Sequence, residues 1–344
     1  MLEKLVESLC DEFEIVVYSQ SQVNQGYRQL NFIIKSAPAK INSRIIRWLY
    51  LFTFFLKDHF RNKFRLMFAF WGYPTGFLAT CASKVVGVPS VIYILGSDSA
   101  GIPAINFGIF HKPVQRKLAL WAYRQTSLLL VISEFQRKKL IGLGLAKPVT
   151  VLPWGAPADL YRFIVKVPTS VLHVIHVGHM TPVKDQATLL RAFSLVVKHY
   201  PAELRIFGVD NMKGAIKKLC VDLKLEKEVH FFDMVPYSQM AQQYAWADLM
   251  LHTSLFEGQS MALTEAAASG VLLAGTKVGL LHDLGDACGI TVEVGDFEGL
   301  AVKVLDIIKH PDLWKQKIHN AGQWAAAHDL SWTVKELKML LRAI

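Results

Sequence analysis

Short apolar runs alternate with segments of helical periodicity along most of the chain. Leu2, Leu5, Val6 and Leu9 fall at helical spacing, and a strand-like segment, Glu14–Ser19, follows them. The later strand-like segments are Leu66–Trp71, Pro89–Leu95, Ser127–Ile132, Val149–Trp154, Val171–Val177, Leu204–Phe207, Val229–Phe232, Ala247–Leu251, Gly270–Ala274 and Thr291–Val294. Because helix-like segments lie between these runs, the pattern predicts an α/β fold with parallel sheets.

The helix-like segments divide into two sets, which predicts two domains. They are Gly72–Val86, Arg116–Tyr123, Ser133–Leu143, Gln186–Lys198, Met212–Leu223, Ser238–Tyr244, Met261–Ala268 and Phe297–Ile308. Prolines and short polar residues interrupt the pattern at Ala156–Thr169, where we place a linker. We therefore predict a first domain over residues 1–160, a second over 168–327, and an amphipathic helix in 328–344 that packs back on the first domain. The 344 residues suffice for two domains that each bury a core.

The segment from Leu251 to Gly270 passes from a strand through a polar turn into a helix rich in helix formers. A helix that starts at the carboxyl end of a strand presents unpaired N–H groups, which favour an anion such as a diphosphate. Glu257 precedes this helix and Glu265 lies within it, with seven residues between them. Taken alone, the two glutamates are as well explained by a charge at a helix N-terminus and a solvated helix residue.

A second loop with similar features follows the strand Val171–Val177. It contains Gly178 and, close to the next helix, Lys184. A glycine loop with a lysine at a helix start suits a pair of phosphates, although a single surface lysine is usually only solvated.

These two segments together resemble the retaining GT-B-fold glycosyltransferases of the family-4 type (glycosyl transferases group 1). The matching runs are EGQSMALTEAAASG, with the E-x7-E spacing, and VGHMTPVKD. The resemblance implies two Rossmann-like domains facing each other across a cleft, the first of which lacks the family's opening strand and glycine loop. It implies transfer of a sugar from a nucleotide-diphosphate sugar to an acceptor hydroxyl with retention, in polysaccharide or glycolipid synthesis.

The resemblance also assigns roles to residues. Glu257 would approach the donor sugar, and Glu265 would hold the ribose. Lys184 and His179 would bind the diphosphate; His179 stands where the family has an arginine. The other expected donor contacts are Gly178, Gly258, Ser260, Met261 and Ala262. Asp98 is expected at the cleft as a third catalytic group, in addition to Glu257 and Lys184. In the same segment, Leu95 stands where the family has a histidine. A simple turn followed by a helix cap explains Gly96-Ser97-Asp98 equally well. The nucleotide base is expected near Asp233, Met234 and Val235.

Composition and charge limit the classes of binding partner and cofactor that we expect. The net charge of +10 suits an anionic partner, but the basic residues are dispersed and no nucleic-acid-binding motif is present. The four cysteines form no metal-binding or C-x-x-C pattern, and no acidic pair follows a strand, so we expect reduced thiols, no metal and no cofactor beyond the donor substrate. The N-terminal residues lack the layout of a signal peptide, which predicts a cytoplasmic protein.

Residues 41–65 contain a twelve-residue apolar stretch, IIRWLYLFTFFL, between basic flanks. The stretch is too short to span a bilayer, but such a helix can lie in the headgroup layer of a membrane. A core helix with solvated ends is the other interpretation. The resemblance implies a glycan or lipid-linked acceptor, and this stretch would add peripheral contact at the inner membrane face.

Two other functions are compatible with the same architecture. One is a nucleotide-sugar-binding protein that does not catalyse, and the other is a sugar-nucleotide 2-epimerase, which needs no large acceptor. The missing opening strand of the first domain, Leu95 and His179 are the features that favour the first of these.

Overall fold

The computed structural model describes residues 2–20 and 31–344, and its elements alternate between strand and helix as the sequence predicts. The first domain contains α1 Leu2–Leu9, β1 Val16–Ser19, β2 Ile33–Ser36, α2 Arg44–Asn62, β3 Met67–Phe70, α3 Phe77–Val86, β4 Ser90–Ile94, α4 Pro113–Gln125, β5 Leu128–Val131, α5 Glu134–Gly142 and β6 Thr150–Val151. In the described residues β1 is the first strand, and it follows a helix.

The second domain and the C-terminal helices follow a stretch without helix or strand. Their elements are β7 Leu172–Val177, α6 Gln186–Val196, β8 Ala202–Phe207, α7 Ala215–Asp222, β9 Val229–Phe232, α8 Tyr237–Trp246, β10 Leu249–His252, α9 Met261–Ala268, β11 Leu272–Thr276, α10 Gly279–Cys288, β12 Gly289–Val292, α11 Phe297–Ile308, α12 Pro311–Ala327 and α13 Leu330–Arg342. The strand β2 and the helices α10 and α12 lie outside the segments identified from the sequence pattern.

All strand pairs in the sheets are parallel. The second domain has a six-stranded sheet in the order β12-β11-β10-β7-β8-β9, whereas the first has a four-stranded sheet, β3-β4-β5-β6, and a separate pair, β1-β2. This arrangement confirms the predicted α/β fold of two Rossmann-like domains.

Both faces of the six-stranded sheet are covered by helices. Leu249 and Leu251 point into the core formed with α6, α7 and α11, while Met250 between them points into the core formed with α8, α9 and α12. Strands buried on both faces read as continuous apolar runs, which explains why β10 was recognisable from its sequence.

The last helix, α13, packs on the first domain. Val334 and Leu337 share a core cluster with Leu5 and Leu9 of α1. Lys338 is also paired with Asp11, at 2.6 Å. The C-terminus therefore adds to the core of the domain in which the chain begins.

The strand order of the second domain reverses at its centre, which positions the candidate site. The sheet grows in one direction from β7 through β8 and in the other from β7 through β10. Ligands of open α/β sheets bind at the carboxyl ends of the strands at such a switch point. The loops that follow β7 and β10 meet there, and they contain the two motifs identified in the sequence.

Candidate functional site

A partly buried cluster of hydrogen bonds links the two loops at the switch point. Lys184, which follows β7, donates a short hydrogen bond to Oε1 of Glu257, which follows β10. The same oxygen accepts from Nε2 of His252 at 3.0 Å and from Oγ of Ser254 at 2.8 Å. The sequence predicted the lysine and the glutamate, and the structure brings them into direct contact.

The charge of Glu257 is strongly favoured in this cluster. Burial by itself would raise the pKa of its carboxyl group, but the Lys184 ammonium and the hydrogen bond from His252 outweigh burial and hold the pKa well below its usual range. Glu257 is therefore a carboxylate, and it is paired with an ammonium at neutral pH.

Two further residues that the sequence predicts to bind the donor substrate, Gly178 and His179, lie on the loop after β7. Gly178 lies against Lys184: a Cβ added at this glycine would lie 3.4 Å from the Cε of Lys184. His179 is exposed, and its Nδ1 accepts a hydrogen bond from the amide of Val209 at 3.0 Å. A ring nitrogen that accepts a hydrogen bond carries no proton, which leaves the Nε2–H as the group that can donate to an anion.

The N-terminus of α9 has free amide groups. Ser260 occupies the N-cap position with a φ of +80° and makes no side-chain cap. Within the described chain, no hydrogen bond is found for the amides of Met261 and Ala262. Uncapped amides of this kind bind anions. Gly258, just before them, lies against the first domain, since a Cβ there would come within 2.5 Å of the Leu95 carbonyl.

Glu265 lies on α9 and is only 5% exposed. Its Oε2 accepts from the hydroxyl of Tyr244 at 2.8 Å. Burial raises the pKa of its carboxyl group, and the hydrogen bond from Tyr244 opposes that rise. The side chain is thus held among tyrosines, and its role at the ribose remains a prediction.

Asp98 is buried in the first domain. Its two carboxylate oxygens accept from the amides of Gly72, at 2.7 Å, and Gly96, at 2.9 Å. Burial raises the pKa of this carboxyl group. Asp98 therefore ties together the loops that follow β3 and β4, and its expected catalytic role stays a prediction.

The residues expected near the nucleotide base follow β9, an edge strand of the sheet. Asp233 and Met234 are exposed, whereas Val235 packs against the second domain's core. Their contact with a base likewise stays a prediction.

Three contacts across the domain boundary involve side chains that the sequence did not single out for such a role. Asp283, on α10, accepts hydrogen bonds from the amides of Glu134 and Phe135 at the start of α5, at 2.7 and 2.9 Å. Gln259 exchanges two hydrogen bonds of 2.8 Å with the backbone of Trp154. Ser133 donates to the carbonyl of Gly258. These contacts depend on the relative position of the domains, so no local sequence signal reveals them.

The structure also addresses metal and membrane sites in the part of the chain that it describes. In residues 2–20 and 31–344, no three or more His, Cys, Asp or Glu side chains are grouped so as to hold a metal ion. No helix in the same residues combines the length and apolar character needed to cross a bilayer.

Comparison with known proteins supports the resemblance. Residues 172–310 match the sequence model of the family described as glycosyl transferases group 1. The N-acetyl-alpha-D-glucosaminyl L-malate synthase of Bacillus anthracis is 31% identical over 147 residues, which are 41% of this chain and 37% of that protein. The chain thus covers well under half the length of this curated relative.

Solved structures match over nearly the whole chain. The sucrose-phosphate synthase of Thermosynechococcus elongatus superimposes with a TM-score of 0.82 at 15% identity and covers 99% of this chain and 92% of that one. HepE of Anabaena, solved with UDP and glucose, gives a TM-score of 0.78 at 17% identity, and the match covers 100% of this chain and 95% of that one. Residues 172–310 thus match the group 1 family that the motifs indicated, and the chain as a whole shares a GT-B fold with these structures.

Proposed function

We propose that the protein transfers a sugar from a nucleotide-diphosphate sugar to an acceptor hydroxyl, with retention of configuration. The observation that carries the proposal is the contact between Lys184 and Glu257 at the switch point, beside the uncapped start of α9. A cation and free amides suit a diphosphate, and a carboxylate next to them suits the sugar attached to it. The relatives' group 1 family and the UDP bound by HepE are consistent with this donor class.

The reaction requires that the leaving diphosphate be stabilised as negative charge develops on it. We assign this task to the Lys184 ammonium, the Nε2–H of His179 and the amides of Met261 and Ala262. The two amides are held by the start of α9 before the donor binds, so they need little reorganisation during the reaction. We propose that no metal ion is needed, and we therefore expect EDTA to leave the rate unchanged.

The two glutamates serve different parts of the donor in this proposal. The free oxygen of Glu257 contacts the sugar as positive charge develops at its anomeric carbon. Glu265 holds the ribose equally in the ground and transition states. Glu257→Gln should therefore lower kcat with little change in KM, whereas Glu265→Gln should chiefly raise KM.

Steady-state kinetics with UDP-glucose and GDP-mannose, followed by release of UDP or GDP and by transfer to membrane acceptors, tests the proposal. Lys184→Ala should weaken binding of the nucleotide by the loss of a charge-assisted hydrogen bond, about 1.5–3 kcal/mol. Lys213→Ala, in the same domain, is the control. Full kcat in Glu257→Gln would contradict the assignment. Nucleotide binding without transfer would indicate a non-catalytic binding protein, and a changed donor sugar without acceptor would indicate an epimerase.

We further propose that α2 brings the enzyme to an anionic membrane carrying a lipid-linked or glycan acceptor, as in glycolipid or polysaccharide synthesis. Ile45, Ile46, Leu49 and Phe60 share one face of this helix and are 54–72% exposed. Basic side chains flank them at Arg44, Arg47, Lys57, Arg61, Lys63 and Arg65. An exposed apolar stripe with basic flanks is the pattern of a helix that lies in the headgroup layer. Its opposite face buries Leu51, so α2 also contributes to the core.

Liposome flotation with and without anionic lipid tests this contact. We expect the protein to float with anionic vesicles and Leu49→Asp to reduce that fraction. Val302→Asp replaces an equally exposed apolar residue of the second domain and should have no effect. Equal recovery of the wild type with both vesicle types would refute the membrane role.

A further inference from the structure

The hydrogen bonds around Glu257 are distributed unevenly between its two oxygens. Its three side-chain partners in the described residues, Lys184, His252 and Ser254, all contact Oε1. Across the described residues no hydrogen bond is found to Oε2, and 13% of the side chain remains accessible. One oxygen is therefore anchored by the protein, and the other is available to a ligand.

His252 is suited to be a permanent anchor because it is completely buried and neutral. Its Nε2 is close to Glu257, while its Nδ1 is buried with no hydrogen-bond partner found among the described residues. A proton on Nδ1 would create a buried donor without an acceptor, which is costly. The ring therefore carries its single proton at Nε2 and donates it to the carboxylate.

The groups around His252 hold the ring in place and keep it neutral. Burial lowers its pKa. Behind it, His176 donates from Nδ1 to the Leu251 carbonyl at 2.9 Å and accepts from Gln186 at 3.2 Å; burial lowers the pKa of His176 to about 3. The charged groups that face His252 are Lys184 and Glu257.

The backbone at the end of β10 is also fixed. His252 pairs with Gly275 of β11, where a Cβ would lie 1.8 Å from the His252 carbonyl, so only glycine allows this approach. Thr276 donates to the carbonyl of Ser254 at 2.6 Å. Both anchors of Glu257 are thus attached to a rigid sheet edge, in contrast to the flexible side chain of Lys184.

We propose that His252 and Ser254 are positioning residues that hold Glu257 in place when Lys184 is engaged by the donor diphosphate. This inference rests on the proposed function, because it assumes that a diphosphate competes with Glu257 for the lysine. Once the ammonium contacts the phosphates, two neutral hydrogen bonds keep Oε1 fixed and Oε2 directed at the sugar. Without them, the carboxylate would follow the lysine away from the anomeric carbon.

The kinetic test separates positioning from binding. His252→Leu should lower kcat by about 10- to 100-fold, because a displacement of about 1 Å is enough for such a loss. The Kd for UDP or GDP, measured by calorimetry, should stay within about threefold, since Lys184 and α9 remain. His252→Gln places an amide N–H near the position of Nε2 and should recover most of the rate. His230→Leu, a histidine of the same domain outside the site, is the matched control.

A second measurement does not depend on catalysis. In protein labelled with 15N at histidine rings, the His252 signal, identified by its loss in His252→Leu, should show a neutral ring protonated at Nε2. Glu257→Gln should shift that signal and leave His230 unchanged. If the wild type transfers no sugar, the proposed function fails, and this shift still decides whether His252 anchors Glu257. Full kcat in His252→Leu, equal loss of rate and nucleotide binding, or an unshifted His252 signal would each overturn the inference.

Discussion

Ser260 combines a strained backbone with a position at the start of α9. Its φ of +80° is one that side chains rarely adopt, and its hydroxyl makes no cap hydrogen bond to α9. We expect Ser260→Gly to raise the free energy of unfolding by up to about 1 kcal/mol, because relief of strain exceeds the added chain entropy. Urea denaturation measures the change.

The control for this substitution lies at the other end of the same helix. Ser269 has an ordinary φ of −92°, and its hydroxyl donates to the Glu265 carbonyl. Ser269→Gly should therefore destabilise the protein by about 0.5–1 kcal/mol. A loss of stability in both variants would show that the Ser260 conformation carries no strain.

Individual residues of the candidate site were predictable where the neighbouring sequence shows that they lie between a strand and a helix. Lys184 and Glu257 each follow a strand and precede a helix, so their meeting at one sheet edge could be inferred from the alternation of elements. His252 ends an apolar strand and looks like part of a turn; its role emerges only from its distance to Glu257. Asp98 shows the opposite case, because the loop motif was visible but the two amides that occupy its oxygens were not.

At the scale of elements, Asp58 connects α2 to the strand pair β1-β2. Its Oδ2 accepts from Tyr18 of β1 and from Lys35 of β2, both at 2.6 Å. We expect Asp58→Asn to reduce the free energy of unfolding at pH 7 by about 1–3 kcal/mol, the loss of hydrogen bonds to a charged group. Urea titration measures this, with Asp306→Asn, an exposed site, as the control.

The stabilisation by Asp58 should depend on pH in a defined direction. Burial raises the pKa of its carboxyl group, but the hydrogen bonds from Lys35 and Tyr18 outweigh burial, and the net pKa is lowered. A lowered pKa means that the contribution is complete above the unfolded value of about 3.9 and is lost as the pH falls through the folded value. The difference between wild type and Asp58→Asn should therefore shrink below pH 4. A difference independent of pH would contradict the role of this carboxylate.

The elements that escaped prediction have weak periodic signals. In α12 the buried positions include Trp314, Ile318, Ala321 and Ala325, which are correctly spaced for one helix face. Two of the four are alanines, which give little contrast with the polar residues around them. The strand β2 is four residues long and pairs on one side only, so tertiary pairing rather than its own sequence determines it.

At the scale of the whole molecule, the contact between Asp283 and α5 joins the two domains beside the candidate site. The carboxylate lies at the positive end of the α5 dipole and accepts two amide hydrogen bonds. Domain interfaces of this kind commonly open and close around a ligand. We expect Asp283→Ala to shift the protein without ligand toward an open arrangement, seen as a larger radius of gyration by small-angle X-ray scattering.

Asp286 provides a control within the same helix. Its carboxylate also accepts two hydrogen bonds, from the amide and hydroxyl of Thr291, but both lie in its own domain. Asp286→Ala should lower the free energy of unfolding and leave the radius of gyration unchanged. Asp283→Ala should instead increase the radius of gyration and lower the free energy of unfolding less than Asp286→Ala does. Since Ser133 and Gln259 still join the domains, the opening should be partial, and addition of UDP or GDP should reverse it if the nucleotide binds the closed cleft more tightly. Identical scattering of the two variants would mean that the Asp283 contact does not control the domain arrangement.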